Sequence, residues 1–219
     1  MISNILLLMQ ESIKRCKSNR LTALRELQEE ENRDPFKILI GTVISARTRD
    51  ENSKIAVRNL FARFGNPKEL SDADIDEIAD AIRVAGFYRV KARRIKEIAK
   101  IIHKVYHDEV PRSIDKLLNL PGVGRKTANC VLVYAFDIDA IPVDTHVHRI
   151  SNRLGIVDTK DVEETERELM RMIDKRYWKQ INDTFVIFGQ NICKPLKPSC
   201  NECSLRDICK YYKVISSLS

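Results

Sequence analysis

Four cysteines crowd the C-terminal end of the chain at Cys193, Cys200, Cys203 and Cys209, spaced C-x6-C-x2-C-x5-C. The apolar start of the chain reads as a helix start rather than a secretory signal, so an intracellular setting is expected, and there such crowding argues for a metal centre rather than disulfides. Structural zinc usually takes two C-x2-4-C knuckles separated by a longer loop, and only one such pair is present here. The whole set closes one tight loop, which suits a compact iron–sulfur cubane held by four thiolates. On spacing alone both metals stay open. Between the first two ligands lies Lys194-Pro-Leu-Lys197-Pro-Ser199. A proline-stiffened loop anchored at a metal would hold Lys194 and Lys197 at fixed positions, as phosphate contact requires. The plain alternative is two surface lysines. Cys16 and Cys130 stand apart in apolar helical stretches and read as small core residues.

A second constellation is Leu120-Pro-Gly122-Val123-Gly124-Arg125-Lys126-Thr-Ala128. Helical runs flank it. Gly122 and Gly124 let the backbone turn tightly and come close to a ligand. The helix that follows starts with open N–H groups and the positive end of its dipole, a phosphate site indifferent to base sequence. This is a helix-hairpin-helix pattern. It is not a P-loop, because G-x4-G-K-S/T is absent. Lys126 falls in the first turn, where the dipole favours its neutral, nucleophilic amine. Partial burial would favour that form further, and a neutral lysine can form a Schiff base. The alternative is a phosphate contact beside Arg125. Eighteen residues after Lys126 comes Val143-Asp144-Thr-His146. Asp144 suits an N-cap, and capping by itself implies no catalysis.

The elements that must position these residues are helical almost throughout. Ile75, Ile78, Ala79 and Ile82 follow the i, i+3, i+4, i+7 pattern, as do Ile95, Ile98, Ala99 and Ile102, and Ala128, Val131, Leu132 and Ala135. Asp34-Pro35 marks a helix start, and Ser71 with Asp74 resembles a capping box. Gly65 and Gly86 fall just past helical runs, where a left-handed residue is expected. The apolar patch Ala140–Val143 is too short for a convincing strand, and Val214–Ser219 is expected to fray. The fold class is all-α.

Of the 219 residues 43% are hydrophobic and 32% charged, and no apolar run reaches the roughly 20 residues that span a bilayer. No membrane partner is expected. Met1–Met9 is apolar without a basic leader or a cleavage site, so it reads as a helix start. That implies a cytoplasmic, nucleoid-associated protein, or a nuclear one in a cell with a nucleus. Lys and Arg outnumber Asp and Glu by 38 to 31, a net +7. The excess suits nucleic acid as partner, although an ordinary basic surface would look the same. Five acidic residues between Ser71 and Asp80 place that face away from any phosphate backbone.

In order and separation, L-P-G-V-G-R-K-T-A at 120–128, V-D-T-H at 143–146 and the four-cysteine array resemble endonuclease III and its relatives, the helix-hairpin-helix DNA glycosylases. The likeness covers nearly the whole chain and favours a 4Fe-4S cluster over zinc. It implies two helical lobes: a six-helix barrel over 28–138 with the hairpin, and a cluster lobe from 1–27 and 139–219. A DNA-binding cleft would lie between them, with Lys126 on one side and Asp144 on the other. The implied activity is that of a bifunctional glycosylase and AP lyase, acting as a monomer on double-stranded DNA with a damaged base or abasic site. It would remove oxidised or ring-saturated pyrimidines such as thymine glycol. Lys126 would displace the base and Asp144 would stabilise charge on the sugar. Hairpin carbonyls, here those of Leu118, Leu120 and Val123, would hold Na+ or K+ against a phosphate. Arg47 and Phe87 occupy the positions that fill the gap left by the flipped base, where relatives often carry Gln and Leu. Arg47 could pair with or stack on a purine, preferring guanine, and Phe87 could intercalate. The alternatives are a surface arginine and a core phenylalanine.

Two rival readings remain. A monofunctional mismatch glycosylase acting on adenine, thymine or uracil would usually replace the lysine, so Lys126 argues against it. A non-catalytic, cluster-dependent DNA-binding protein would need no Lys126–Asp144 pair. His146 and His148 lie two positions apart on a helix, roughly 200° around it, and make a poor metal pair.

Overall fold

The structure, a computed structural model, describes residues 2–16, 22–30 and 32–217. Among these residues every regular element is helical. The order is α1 (Ile2–Arg15), α2 (Ala23–Glu30), α3 (Pro35–Ser45), α4 (Asp50–Arg63), α5 (Pro67–Asp72), α6 (Ile75–Ala81) and α7 (Tyr88–Lys104). There follow α8 (Ile114–Leu118), α9 (Arg125–Phe136), α10 (Thr145–Leu154), α11 (Val162–Met172), α12 (Trp178–Asn191) and α13 (Lys210–Ser216). No helix among the described residues is long and apolar enough to cross a membrane.

The chain divides into two compact units, one of residues 23–138 and the other of 1–22 with 139–219. The first begins at Ala23 and so takes in all of α2, where the sequence reading starts the barrel at 28. Its centre is α3. Phe36 and every residue from Ile38 to Ile44 are buried, so this helix is covered on nearly all sides. It packs on α9, α4, α2 and α7, while α5 and α6 pack on α7. Asp34 starts α3 as expected: its carboxylate accepts from the Phe36 and Lys37 N–H groups at 2.9 and 3.0 Å. Gln28 of α2 donates to the Tyr134 carbonyl of α9 at 2.8 Å, a buried bond between distant segments.

In the second unit α1 and α10 both pack on α12. Ile5, Leu6 and Met9 meet Val147, Ile150, Leu169, Ile181, Phe185 and Phe188 in one core. Cys193 and Cys203 lean against that core, as does Cys16. Two polar ties reinforce the union of the chain's ends. The Thr22 hydroxyl donates to Asp183 at 2.8 Å, and Ser204 N–H donates to the Ser12 hydroxyl at 3.0 Å.

Three local expectations change. The capping box belongs to Asp74 and Glu77 at the start of α6; Ser71 is buried inside α5 and donates to the Lys68 carbonyl instead. Gly65 and Gly86 are not left-handed, and the left-handed C-caps fall at Asp137 and Gly155. Val214 to Ser216 complete α13 rather than fray, while Leu218 and Ser219 lie outside the described residues. Ala140–Val143 is buried coil, held where Asn182 donates to the Pro142 carbonyl at 2.7 Å. Cys130 is fully buried in α9, as expected of a core thiol.

Phe185 is fully buried where α12 meets the core of its unit. Phe185→Ala should lower unfolding free energy by about 3–5 kcal/mol, read as a shift in urea midpoint.

Candidate active site and cysteine centre

The hairpin is built as its sequence requires. Leu118 ends α8, and the Leu120 N–H donates back to the Leu117 carbonyl at 3.1 Å. Val123 N–H donates to the Leu120 carbonyl at 3.1 Å, closing the turn. Gly122 sits at φ +75°, a backbone state in which a side chain would be strained. The side chains of Leu120 and Val123 are buried and anchor the turn, so only their backbone can meet a ligand. Gly124 precedes α9 with extended backbone and supplies no side-chain cap. A helix start with no side-chain cap is the arrangement found at phosphate sites. Arg125 is exposed on that turn and Lys126 half-buried beside it. Arg94 of α7, which no sequence pattern singled out, runs along Gly122 and would collide with a Cβ there, its Cδ at 2.6 Å.

Asp144 does the opposite for α10. Its carboxylate accepts from the His146 and Val147 N–H groups at 2.8 and 3.0 Å, so it caps the helix while staying half-buried. One turn on, the Arg149 guanidinium donates to the Cys193 carbonyl at 2.9 Å and lies 3.2 Å from His146 Nδ1. Burial lowers the pKa of Arg149; the Cys193 thiol and the Asp144 carboxylate act the other way. His146 and His148 part company as expected, His148 pairing with the Thr165 hydroxyl at 2.7 Å. Lys126 belongs to the unit of residues 23–138 and Asp144 to the other.

The four C-terminal cysteines follow α12, each partly buried. Burial raises the pKa of Cys200, and the neighbouring thiols of Cys193 and Cys209 raise it further. Cys203 is pushed up to about 11, mainly by burial, with all three other cysteines adding to the rise. The four sulfurs therefore share one neighbourhood. Among the described residues no group of three or more His, Cys, Asp or Glu side chains is arranged to hold a single metal ion. Four adjacent thiolates repel one another unless a cationic centre lies among them, so the donor set fits a thiolate-bound metal group. Arg153 of α10 steadies the loop. It donates to the Lys194 and Pro195 carbonyls at 2.7 and 2.8 Å and approaches Cys193 Sγ at 3.5 Å. Lys194 and Lys197 are exposed on that loop, Lys197 with left-handed backbone.

Arg47 and Phe87 are both solvent-facing. Phe87 is 65% exposed, which removes the core alternative for this ring. Both residues have left-handed backbone, φ +53° and +56°, and the Arg47 guanidinium lies 6.0 Å from the Phe87 ring centre. They line a cavity of about 350 Å³ together with Val43, Lys91, Arg94 and Gly122. Of these, Lys91 is 4% exposed and donates to the Ile44 carbonyl at 2.6 Å.

An uncapped hairpin helix carrying a lysine, an aspartate-capped helix and a four-cysteine loop on an all-helical frame define the helix-hairpin-helix class of DNA-repair glycosylases. Residues 40–175 match the HhH-GPD superfamily of base excision DNA repair proteins. Endonuclease III of Thermotoga maritima is 50% identical over 180 residues, covering 82% of this chain and 84% of its own length. That of Bacillus subtilis is 40% identical over 178 residues, covering 81% of each. A solved structure of a non-covalent endonuclease III–DNA complex superposes with a TM-score of 0.85 at 35% identity, over 99% of both chains. The chain belongs to the HhH-GPD superfamily of base excision DNA repair proteins, and within it to the endonuclease III family of DNA glycosylase/AP lyases.

Burial lowers the pKa of Lys91 from 10.5 to about 8. The folded protein therefore releases this proton before the unfolded chain does. Between pH 8 and 10.5 the unfolded chain binds more protons, so the folded state gains stability as pH rises. The stability of the wild-type protein relative to Lys91→Met should be flat below pH 8. Above it, the difference should climb by up to about 1.4 kcal/mol per pH unit, less where water screens the amine. Urea titrations of both proteins across pH 7–10 measure it.

Proposed function

We propose that this protein removes oxidised or ring-saturated pyrimidines, thymine glycol among them, from double-stranded DNA, and then nicks the strand. The observation that carries the reading is Lys126, half-buried in the first turn of α9, just past a hairpin whose helix has no side-chain cap. Endonuclease III relatives at 50% and 40% identity support the same chemistry.

The first turn of α9, Arg125, Lys194 and Lys197 bind phosphates without regard to base sequence. The damaged nucleotide swings out of the stack, at an energy that is smallest where its pairing is already weak. Arg47 and Phe87 enter the vacated space, Phe87 by stacking and Arg47 at the edge of the estranged base, with preference for guanine. The neutral Lys126 amine bonds to C1′ as the base departs with the bonding electrons. Asp144 stabilises the developing positive charge on the sugar and moves protons. The aminal loses its N–H proton and the C1′–O4′ bond breaks, O4′ taking a proton, to give a Schiff base that acidifies the C2′ proton, whose loss expels the 3′ phosphate. Cys193, Cys200, Cys203 and Cys209 would hold a 4Fe-4S cluster, which would serve to anchor the loop of Lys194 and Lys197. The protein works as a monomer.

Two variants separate structure from chemistry. Asp144→Asn keeps an acceptor at the N-cap, so stability should stay within about 0.5 kcal/mol of wild type. Its base-release rate on a thymine-glycol duplex should fall about 100-fold or more. Lys126→Ala should neither release base nor nick. Base release by Asp144→Asn at the wild-type rate, or nicking by Lys126→Ala, would refute these assignments. For the centre, purified protein should show the brown iron–sulfur absorbance, with loss of colour and of DNA binding in Cys203→Ser. A colourless protein with stoichiometric zinc would reject the cluster.

A further inference from the structure

Thr48 sits one residue past Arg47 and faces two other segments. Its hydroxyl accepts from the Gly86 N–H at 3.1 Å and from the Lys91 ammonium at 2.6 Å. The same ammonium donates to the Ile44 carbonyl in the last turn of α3 at 2.6 Å. One hydroxyl and one buried cation thus bind the end of α3 and the loop after it to the loop before α7 and the first turn of α7. At Gly86 the loops touch backbone to backbone, for a Cβ there would stand 2.6 Å from the Arg47 carbonyl oxygen. Glycine is needed here for close approach, not for handedness.

The tie flanks two conformations that do not hold themselves. Arg47 and Phe87 both have left-handed backbone, which L-residues bearing side chains adopt only where their surroundings impose it. Both side chains face the same cavity, with Lys91 on its wall. A ring that must enter a base stack loses less entropy if it is already held in its inserting pose.

We propose that Thr48 and Lys91 form a latch that fixes Arg47 and Phe87 as one preassembled wedge, making them positioning residues for base extrusion. The inference rests on the reading that Arg47 and Phe87 fill the gap in the duplex. A burial-lowered pKa for Lys91 agrees with an ammonium sealed between the two loops.

The test uses the full chain and a duplex with thymine glycol opposite adenine, read as single-turnover base release alongside melting temperature. Thr48→Val should slow release about tenfold without a matching loss of melting temperature, and Thr48→Ser should restore it. In an Arg47→Ala/Phe87→Ala background, itself slow, Thr48→Val should add almost nothing, because the wedge it positions is gone. Lys91→Met should behave like Thr48→Val. The latch is overturned if Thr48→Val releases base at the wild-type rate, or if it costs the same factor in the double-alanine background. Wild-type release by the double-alanine protein is a different failure: it removes the wedge reading itself, and the latch with it.

Discussion

A helix's first turn leaves N–H groups that no carbonyl of the same helix can satisfy, and this chain settles that debt in two opposite ways. At α10 the Asp144 carboxylate takes two of them, so the helix is closed and its aspartate fixed in place. At α9 the preceding residue is Gly124, which has no side chain to cap the turn, as at helix starts that receive a phosphate. The whole hairpin serves that difference. Gly122 turns the chain, Leu120 and Val123 pin it to the core, and Lys126 is carried on the first turn that no side chain caps. An aspartate or serine in place of Gly124 would supply the cap internally and compete with phosphate.

The frame around these turns explains how exposed loops can hold exact positions. Helix α3 is enclosed on nearly all sides, so the loop leaving it starts from a fixed point. Left-handed backbone at Arg47 and Phe87 would relax in an isolated loop, and here polar ties to Ile44, Thr48 and Gly86 restrain it. The cysteine loop follows the same logic. Arg153 gathers the Lys194 and Pro195 carbonyls, and Arg149 reaches the Cys193 carbonyl from the helix that Asp144 caps.

What the sequence made legible was local. The hairpin, the Asp144 cap and the four cysteines lie in short segments whose spacing reflects their geometry, and helical periodicity told the fold class. The contacts that bring distant segments together left no such trace. Lys91 and Thr48 are 43 residues apart, and Lys91 looks like any polar residue on a basic amphipathic helix until burial is known. Arg153 and Lys194 are 41 apart. Gly86 was read as a left-handed cap because glycine after a helix usually is one; its actual reason, contact with the Arg47 carbonyl, depends on a partner nearly 40 residues away. The Ser71–Asp74 pairing failed similarly, since Asp74–Glu77 offered the same motif three residues on and Ser71 was drawn inside α5.

The most direct measurement is borohydride reduction during reaction with an abasic-site duplex, followed by proteolysis and mass spectrometry of the crosslinked peptide. The sugar remnant should lie on Lys126, in a peptide from the start of α9. An adduct on another amine, or none with the intact wild-type protein, would contradict the first turn of α9 as the seat of the chemistry.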